Sequence, residues 1–308
     1  PKLVAAGGAA AAKAGLEPGD RILTVNGHPT DDELALRFYL AEPRIKLRVL
    51  KPDGCEIQVV LKLREGVEPG IQTEEFRTKT CNNACLFCFV DQLPPGVRPG
   101  LRIKDDDYRL SFLHGNYITL TNVSEQELNR IIEQRLSPLY VSVHATEPDL
   151  RTLILGRKRQ DDLIGKLRAL VCGGIQIHAQ IVLMPGINDG IHLVKTVHDL
   201  CRLHPGVQSV AIVPLGLSDH GKPRERLVPV TPDYCRNTIR AAMQAGVAAN
   251  VFAPQLHGQC HYWPEAVMER CGSRRSMPSS AMRAAEVQVL PSGETMTRSL
   301  PSSAPPVL

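Results

Sequence analysis

The segment FRTKTCNNACLFCFVDQLP, residues 76–94, carries three of the nine cysteines of the chain within eight residues. Cys81, Cys85 and Cys88 are separated by three and then two residues. Cysteine thiolates are soft ligands that suit iron–sulfur clusters and zinc. A structural zinc site normally takes four ligands, and this segment offers three. The spacing therefore favours an iron–sulfur cluster with one iron left open over a structural zinc site or a group of buried cysteines.

Downstream of this segment, apolar strands alternate with helices. Strands are predicted at residues 117–121, 139–145, 175–183 and 209–217. Helices are predicted at 124–135, 161–174, 190–204 and 231–246. Repeated β–α units with apolar strands indicate a parallel sheet, and no glycine-rich dinucleotide turn follows any strand. We therefore predict an α/β fold, a partial (β/α) barrel over residues 73–252, with its chemistry at the carboxyl ends of the strands.

Upstream, residues 1–72 are predicted to form a small β-rich domain. Its strands are expected at residues 21–27, 44–51 and 56–64, joined by Pro-Gly, Asn-Gly and Asp-Gly turns. A short helix over 31–41 is expected to be capped by Asp31 or Asp32. The core side of this helix is expected to carry Leu34, Phe38 and Leu40.

Composition restricts the classes of protein to which the chain can belong. The 308 residues suggest roughly two domains, and 36 basic against 32 acidic residues give a net charge of +4. Because this charge is not gathered into a basic block, we expect no nucleic-acid partner. No stretch approaches about 18 uncharged apolar residues, so we expect no membrane span and a cytoplasmic protein.

The end of the chain differs in composition from the rest. From residue 273 onward, 36 residues contain eight Ser and five Pro, and no aromatic residue follows Trp263. We predict that residues 253–308 are an irregular or disordered tail. The HGQCH sequence at 257–261 has metal-ligating residue types, but we interpret it as incidental.

The CxxxCxxC spacing, with Phe87 before the third cysteine and a β/α repeat after it, resembles the radical S-adenosylmethionine (SAM) superfamily. The resemblance implies that Cys81, Cys85 and Cys88 hold a [4Fe-4S] cluster whose fourth iron binds SAM. It also implies reductive cleavage of SAM to a 5′-deoxyadenosyl radical that abstracts hydrogen from a substrate. An electron donor such as flavodoxin or ferredoxin is then an expected partner.

The same resemblance directs attention to polar residues at strand ends. The GGE signature of the superfamily, which contacts the SAM amino group, is absent, and Thr121 and Asn122 could replace it. Alternatively, Asn122 begins an ordinary turn. His144 could line the cavity near SAM or be a hydrogen-bonded core histidine. Phe87 is expected to cover the adenine or the cysteine loop, although packing alone would also explain it.

Two further motifs have both a functional and a structural interpretation. The loop 184–189, MPGIND, resembles one in other radical SAM enzymes, but it also reads as a Pro-Gly turn before a capped helix. Residues 105–107 are three adjacent Asp that could contact a substrate or a metal. Like charges in a loop are usually solvated, and this is the interpretation we adopt.

The motif AGLEPGDRILTVNG at residues 14–27, followed by a helix and two strands, resembles a bacterial PDZ domain. Taken with residues 81–122, it is similar to a bacterial family of PDZ-containing radical SAM proteins of clostridial and cyanobacterial type. The resemblance, which covers residues 14–235, implies a peptide or protein substrate bound through the PDZ-like domain. Family members continue into a C-terminal domain of unknown function, which the tail of this chain does not resemble. A truncated or frame-shifted gene would explain this difference.

Three functions therefore compete. The first is a radical SAM enzyme with an oxidoreductase-like or transferase reaction. The second is a PDZ-type peptide-binding protein with a redox-sensing iron–sulfur site, and the third is an inactive fragment of the enzyme. An iron left open by the three-cysteine loop favours the enzyme, because a pure scaffold has no use for it.

Overall fold

A computed structural model gives the fold of the protein. It describes residues 3–6, 9–42, 44–62, 70–220, 227–234, 236–238, 240–241 and 286–289. The chain divides into two units, residues 1–80 with 129–136 and residues 81–128 with 137–308. The sequence placed the first boundary after residue 72 and residues 129–136 in the second domain, and these domain limits stay predictions.

The first unit is built on an antiparallel sheet. Its strands are β1 (Leu3–Ala6), β2 (Arg21–Val25), β3 (His28–Pro29), β4 (Arg44–Leu50), β5 (Glu56–Lys62) and β6 (Ile71–Thr73), and its helices include α1 (Ala9–Lys13) and α2 (Glu33–Tyr39). Four strands pair in the order β3-β2-β4-β5, and β1 pairs with β6. The predicted small β-rich domain with one central helix is present in this unit.

Strict alternation in β4 decides which face of the sheet is buried. Ile45, Leu47 and Val49 are buried, whereas the residues between them are exposed. Successive side chains of a strand point to opposite faces, so one face of β4 is apolar and the other basic. Each buried aliphatic side chain contributes about 1.5–3 kcal/mol to folding.

Helix α2 begins at Asp32, whose Oδ1 accepts a hydrogen bond from the Ala35 amide at 3.0 Å. Of the two predicted caps, Asp31 and Asp32, the structure has Asp32. Leu36 and Leu40 are buried, but Phe38 is 41% exposed, so its predicted place in the core is wrong. Phe38 lies two residues from Leu36, and two helical residues span roughly 200°, which puts Phe38 on the opposite face.

A buried ion pair closes the Pro-Gly-Asp turn of the first unit. The fully buried Asp20 accepts hydrogen bonds from the Glu17 amide at 2.9 Å and from Lys51 Nζ at 3.0 Å. Lys51 Nζ also donates to the Gly15 carbonyl at 2.8 Å. The hydrogen bond with Asp20 raises the pKa of Lys51, which stays charged. The turn before β2 is thus held to the chain that follows β4.

We predict that Lys51→Met destabilises the protein by about 3 kcal/mol, because Asp20 is then a buried carboxylate without its cation. Arg48→Met is the control, since Arg48 pairs with Glu56 across an exposed face and its loss should cost less than about 1 kcal/mol. Urea unfolding of both variants measures the difference. Equal losses would contradict a structural role for the buried pair.

The second unit contains a parallel sheet. Its strands are β7 (Leu139–Ser142), β8 (Ile177–Leu183), β9 (Val207–Pro214) and β10 (Glu286–Val289), paired in the order β10-β9-β8-β7. The helices that follow α2 along the chain are α3 (Tyr108–His114), α4 (Glu125–Glu133, whose residues from 129 onward belong to the first unit), α5 (Pro148–Ile154), α6 (Leu163–Cys172) and α7 (Gly190–Cys201), with short 3-10 turns at Val90–Gln92 and Pro99–Arg102. The α/β prediction is confirmed, and the partial barrel stays a prediction.

The strand predicted at residues 117–121 does not form. Ile118 makes one bridge to Val141 of β7, and the segment then leaves the sheet. The Thr119 amide donates to Asp106 Oδ1 at 2.6 Å instead of to a neighbouring strand. Leu120 follows with a φ of 61°, in the left-handed region, which is incompatible with an extended strand. The conformation of Leu120 therefore ends the pairing with β7 after one residue, and Asp106 holds the backbone just before it.

The end of the chain gives a second correction. Strand β10 lies within the predicted tail and pairs in parallel with β9, from Glu286 opposite Ser209 to Val289 opposite Ile212. The expectation of disorder is wrong at these four residues, because EVQV alternates and contains two β-branched valines, which favour strands. The other residues of 253–308, including the HGQCH sequence, lie outside the described residues. Each helix in the described part of the chain is too short or too polar to cross a lipid bilayer.

Candidate metal centre

The cysteine loop, residues 81–88, is held in place by the end of helix α5. The Ala84 amide donates to the Leu155 carbonyl at 3.0 Å, and the Leu86 amide donates to the Ile154 carbonyl at 2.9 Å. The last carbonyls of a helix have no partner within the helix, so they accept from outside it. The loop thereby gains two fixed backbone hydrogen bonds next to Cys85.

Gly156 permits this close approach. Its φ is 61°, and a Cβ at this position would lie 2.3 Å from the Ala84 carbonyl oxygen. Only glycine satisfies both the left-handed conformation and the contact. Neither α5 nor the role of Gly156 was predicted from the sequence. A glycine just after an apolar helical stretch is nevertheless a common helix C-terminal signal.

We predict that Gly156→Ala displaces the cysteine loop and destabilises the protein more than Gly174→Ala does. Gly174 also has a positive φ, 82°, but a Cβ there would meet no atom within 4 Å. The control therefore carries the conformational cost of about 1–2 kcal/mol without the clash. Thermal unfolding of the two variants gives the comparison. A loss for Gly156→Ala no larger than that for Gly174→Ala would show that the loop does not depend on this contact.

The cysteine loop lies at the carboxyl edge of the parallel sheet. The Phe87 ring meets the ring of His144, which follows β7, edge-on at 4.6 Å between centroids. Gln92 Nε2 donates to the Phe87 carbonyl and to the Gly216 carbonyl, which follows β9, each at 3.2 Å. Leu86 and Phe87 pack on an apolar cluster that includes Ile154. This is the edge at which parallel α/β sheets place their chemistry.

The three thiols are half-buried and are not disulfide-bonded. Burial, together with the neighbouring charges of Cys81 and Cys88, raises the pKa of Cys85 to about 12. The three sulfurs thus influence one another, although no three His, Cys, Asp or Glu side chains of the described residues meet at metal-ligand spacing. Thiols lose their protons when they bind a metal, and three soft donors on one short loop fit an iron–sulfur cluster.

A buried arginine joins the elements around the loop. Arg151 of α5 is 1% exposed, and its Nη2 donates to the Thr119 carbonyl at 2.6 Å. Its Nη1 donates to the Ser142 carbonyl at 3.0 Å and to the Val143 carbonyl, at the end of β7. Asp161 supplies the counter-charge at 3.3 Å. Nothing in the sequence marked Arg151, because an arginine in a short helix normally reads as a solvent-facing residue.

Thr121 and Asn122, predicted as cofactor-binding residues, belong to a polar network around Asp106. Asp106 is buried and accepts hydrogen bonds from the Thr119 amide and hydroxyl, both at 2.6 Å. Asn122 Nδ2 donates to the Asp106 carbonyl at 3.0 Å, so this side chain supports the loop. Thr121 Oγ1 lies 2.8 Å from Thr119 Oγ1. Burial raises the pKa of Asp106, whereas the two Thr119 bonds lower it.

The three adjacent aspartates are therefore not a solvated run, and that interpretation is wrong. Asp106 accepts a hydrogen bond from the Thr119 amide at 2.6 Å. Asp107 is fully buried and caps α3, accepting from the Arg109 amide at 3.0 Å. Asp105 accepts from Asn116 Nδ2 at 2.8 Å. Each carboxylate has a separate structural partner, which a charge count along the sequence does not reveal.

Asn83, which the sequence analysis did not select, links this network to the cysteine loop. Its Nδ2 lies 3.4 Å from Cys81 Sγ, 3.0 Å from Thr119 Oγ1 and 3.1 Å from Thr121 Oγ1. Arg157 Nη1 donates to Asn83 Oδ1 at 2.9 Å. The structure thus brings Thr121 together with a side chain that contacts a cysteine sulfur.

His144 is buried beside the loop in a neutral state. Burial lowers its pKa to about 3, and its Nδ1 accepts a hydrogen bond from the Val182 amide at 3.1 Å. The proton of the neutral ring is therefore on Nε2. Asn188 Nδ2 donates to the His144 and Val182 carbonyls, each at 2.8 Å. His144 is thus a hydrogen-bonded core histidine that also contacts Phe87.

The MPGIND loop has the structural role that its sequence also allowed, a turn before a helix. Asn188 Oδ1 accepts from the Met184 amide at 2.8 Å, and Asp189 occupies the position before α7. Asp189 accepts from the Gly186 amide at 3.0 Å and from the Tyr234 hydroxyl. Asn188 therefore fixes the turn after β8 and connects it to His144.

Comparison with protein families finds two matches along the chain. Residues 64–210 match the family model described as the radical SAM-like domain. This part of the chain is therefore similar to the radical SAM-like domain. Residues 3–51 match the model of the PDZ domain. The predicted resemblances to a radical SAM domain and to a PDZ domain are confirmed, and the clostridial and cyanobacterial family type stays a prediction.

Solved structures of radical SAM proteins show distant similarity. A domain of pyruvate-formate lyase-activating enzyme from Bacteroides vulgatus ATCC 8482 is 10% identical, with a TM-score of 0.34 over 42% of this chain and 76% of that one. Streptococcus suis SuiB bound to S-adenosylmethionine is 8% identical, with a TM-score of 0.33 over 43% and 28%. A radical SAM methyltransferase from Sphaerobacter thermophilus is 16% identical, with a TM-score of 0.30 over 77% of each chain. The comparison with curated proteins gave no match.

Proposed function

We propose that this protein is a radical SAM enzyme in which Cys81, Cys85 and Cys88 hold a [4Fe-4S] cluster and SAM binds at the remaining iron. The observation that carries the proposal is the cysteine loop itself. It is fixed by α5 at the carboxyl edge of a parallel sheet, within the residues that match the radical SAM-like family model. The partial barrel over residues 73–252 is part of the same proposal.

When bound, the cluster and SAM supply a 5′-deoxyadenosyl radical that takes a hydrogen atom from the substrate. The residues of the chain prepare the site for this chemistry. Cys81, Cys85 and Cys88 would provide one thiolate to each of three irons, and the remaining iron would be left to bind SAM through its amino and carboxylate groups. Thr121 is half-buried beside Asn83 and is our candidate to receive the SAM amino group, with Asn122 holding the loop in place.

The apolar side of the site keeps water away from the reaction. Phe87 and Leu86 lie on the cluster of buried residues that includes Met184 and Leu215. His144 has a strongly lowered pKa and therefore adds no charge next to Phe87 at neutral pH. A dry, uncharged wall of this kind suits a reactive radical. A flavodoxin or ferredoxin is the proposed electron donor, and the reaction type is open between oxidoreductase-like and transferase chemistry.

Substitution of one cysteine of the loop tests the proposal. The wild-type protein, reconstituted without oxygen, should bind roughly four irons per chain and form 5′-deoxyadenosine from SAM under dithionite. Cys85→Ala should lose both, because one thiolate is missing. Cys172→Ala, which alters an exposed cysteine outside the loop, should retain both. A wild-type protein that binds zinc and no iron, or a Cys85→Ala protein that still cleaves SAM, would contradict the proposal.

We propose as a second function that the first unit binds an acidic polypeptide. A cleft of about 580 Å³ lies on its sheet and is lined by Arg44, Lys46 and Arg48 of β4, together with Asn26 and Glu42. Arg48 pairs with Glu56, but neither Arg44 nor Lys46 forms an ion pair with a described residue. PDZ domains recognise peptides, and the cations of this cleft favour carboxylate side chains. The peptide is then the substrate or a docking partner.

A glutamate-rich hexapeptide with a fluorescent label should bind to the protein, more weakly as salt is raised. Lys46→Glu should weaken binding at least about tenfold, since it replaces an attraction with a repulsion. Lys62→Glu makes the same charge change on β5 outside the lining of the cleft and should have little effect. Equal binding of a lysine-rich peptide, or equal loss in the two variants, would rule out this cleft as the site.

A further inference from the structure

The orientation of the Asn83 side chain is fixed by a residue that can only donate. Arg157 Nη1 lies 2.9 Å from Asn83 Oδ1, and a guanidinium has no acceptor atom. The amide oxygen therefore faces Arg157, and the amide NH2 group faces the other way. Asn83 is 7% exposed, so bulk water does not compete for these positions.

The NH2 group of Asn83 faces the sulfur of Cys81. The distance from Nδ2 to Cys81 Sγ is 3.4 Å, within hydrogen-bond range for sulfur. On its other side, Nδ2 lies 3.0 Å from Thr119 Oγ1 and 3.1 Å from Thr121 Oγ1, and the Thr121 hydroxyl in turn can donate to Asn83 Oδ1 at 3.2 Å. Thr119 donates its own hydroxyl hydrogen to Asp106 Oδ2 at 2.6 Å, so its oxygen remains an acceptor for Asn83. The amide is thus held from both ends.

From this geometry we propose that Asn83 raises the reduction potential of the cluster by donating an N–H···S hydrogen bond to Cys81, with Arg157 as the positioning residue. This inference rests on the proposed function. Reduction adds one electron and breaks no bond, and it increases the negative charge on the cysteine sulfurs. An N–H directed at one of these sulfurs stabilises that charge, and hydrogen bonds to sulfur are among the factors that set the potential of such clusters.

The chain offers a matched control for each residue. Asn82 precedes Asn83 in the same loop but is exposed. Lys158 follows Arg157, is exposed, and carries the same charge. Asn82→Ala and Lys158→Met therefore reproduce the change of composition and of charge without removing a bond to the Asn83–Cys81 pair.

The experiment is a potentiometric titration of the reconstituted protein, followed by electron paramagnetic resonance of the reduced cluster. Asn83→Ala should shift the midpoint potential to a more negative value than that of the wild type and of Asn82→Ala. Arg157→Met should shift it in the same direction and further than Lys158→Met does. Iron content and visible absorption establish that each variant carries its cluster.

The outcomes separate this inference from the proposed function. If the wild type assembles the cluster but Asn83→Ala and Asn82→Ala have the same potential, the inference is wrong and the proposed function is unaffected. If Asn83→Ala does not assemble a cluster, the comparison of Arg157→Met with Lys158→Met decides, and equal potentials overturn the inference. A wild type without iron overturns both.

Discussion

The second unit depends on a buried positive charge. The Arg151 guanidinium uses its donors on backbone carbonyls of two separate segments, at Thr119 and at the end of β7, and is balanced by Asp161. A charge without water is costly, and the cost is offset only while all of these acceptors are in place. Because Arg151 lies on α5, the same helix that holds the cysteine loop is locked to the sheet. The hydrogen bonds of Arg151 therefore help to position the three thiols through α5, although the carbonyls that accept them belong to other residues.

The surroundings of the cysteine loop divide into two sides of opposite chemistry. On one side, Asn83, Thr119 and Asp106 form a chain of hydrogen bonds in which each group has a defined donor or acceptor role. On the other side, Phe87 and the neutral His144 form an uncharged wall. A polar side can respond to changes of charge on the sulfurs, whereas an apolar side excludes water. The proposed radical SAM function, in which the centre accepts an electron and protects a reactive species, needs the two together.

The features that local sequence specifies were predictable, and those that depend on distant partners were not. The cysteine spacing, the Asp32 cap and the alternation in β4 each involve a few neighbouring residues, so sequence alone revealed them. The strand at 117–121 stops after one bridge because Leu120 leaves the extended conformation, and Asp106, from another loop, holds the Thr119 amide just before it. Phe38 was misplaced because its helix presents a narrower apolar face than its composition suggests.

The site shows the same division. Phe87 and His144 were selected from motif position and strand-end position, and the structure brings their rings into contact. Thr121 was selected as a strand-end residue. It contacts the cysteine loop through the side chain of Asn83, which was not selected. Asn83, Arg151 and Gly156 escaped notice because their roles arise from contacts with residues far along the chain. No spacing rule identifies such residues before the fold is known.

The hydrogen bonds from the cysteine loop to α5 also determine the order of events during biosynthesis. The three cysteines of the loop leave the ribosome well before Ile154 and Leu155, whose carbonyls hold the loop. Synthesis proceeds from the N-terminus, so the nascent loop is exposed and unsupported until β7 and α5 have been made. Iron delivered for the proposed cluster at that stage would meet flexible thiols in competition with any other soft metal. Maturation is therefore best timed after translation of residue 156, when a folded apoprotein presents the loop in its final shape.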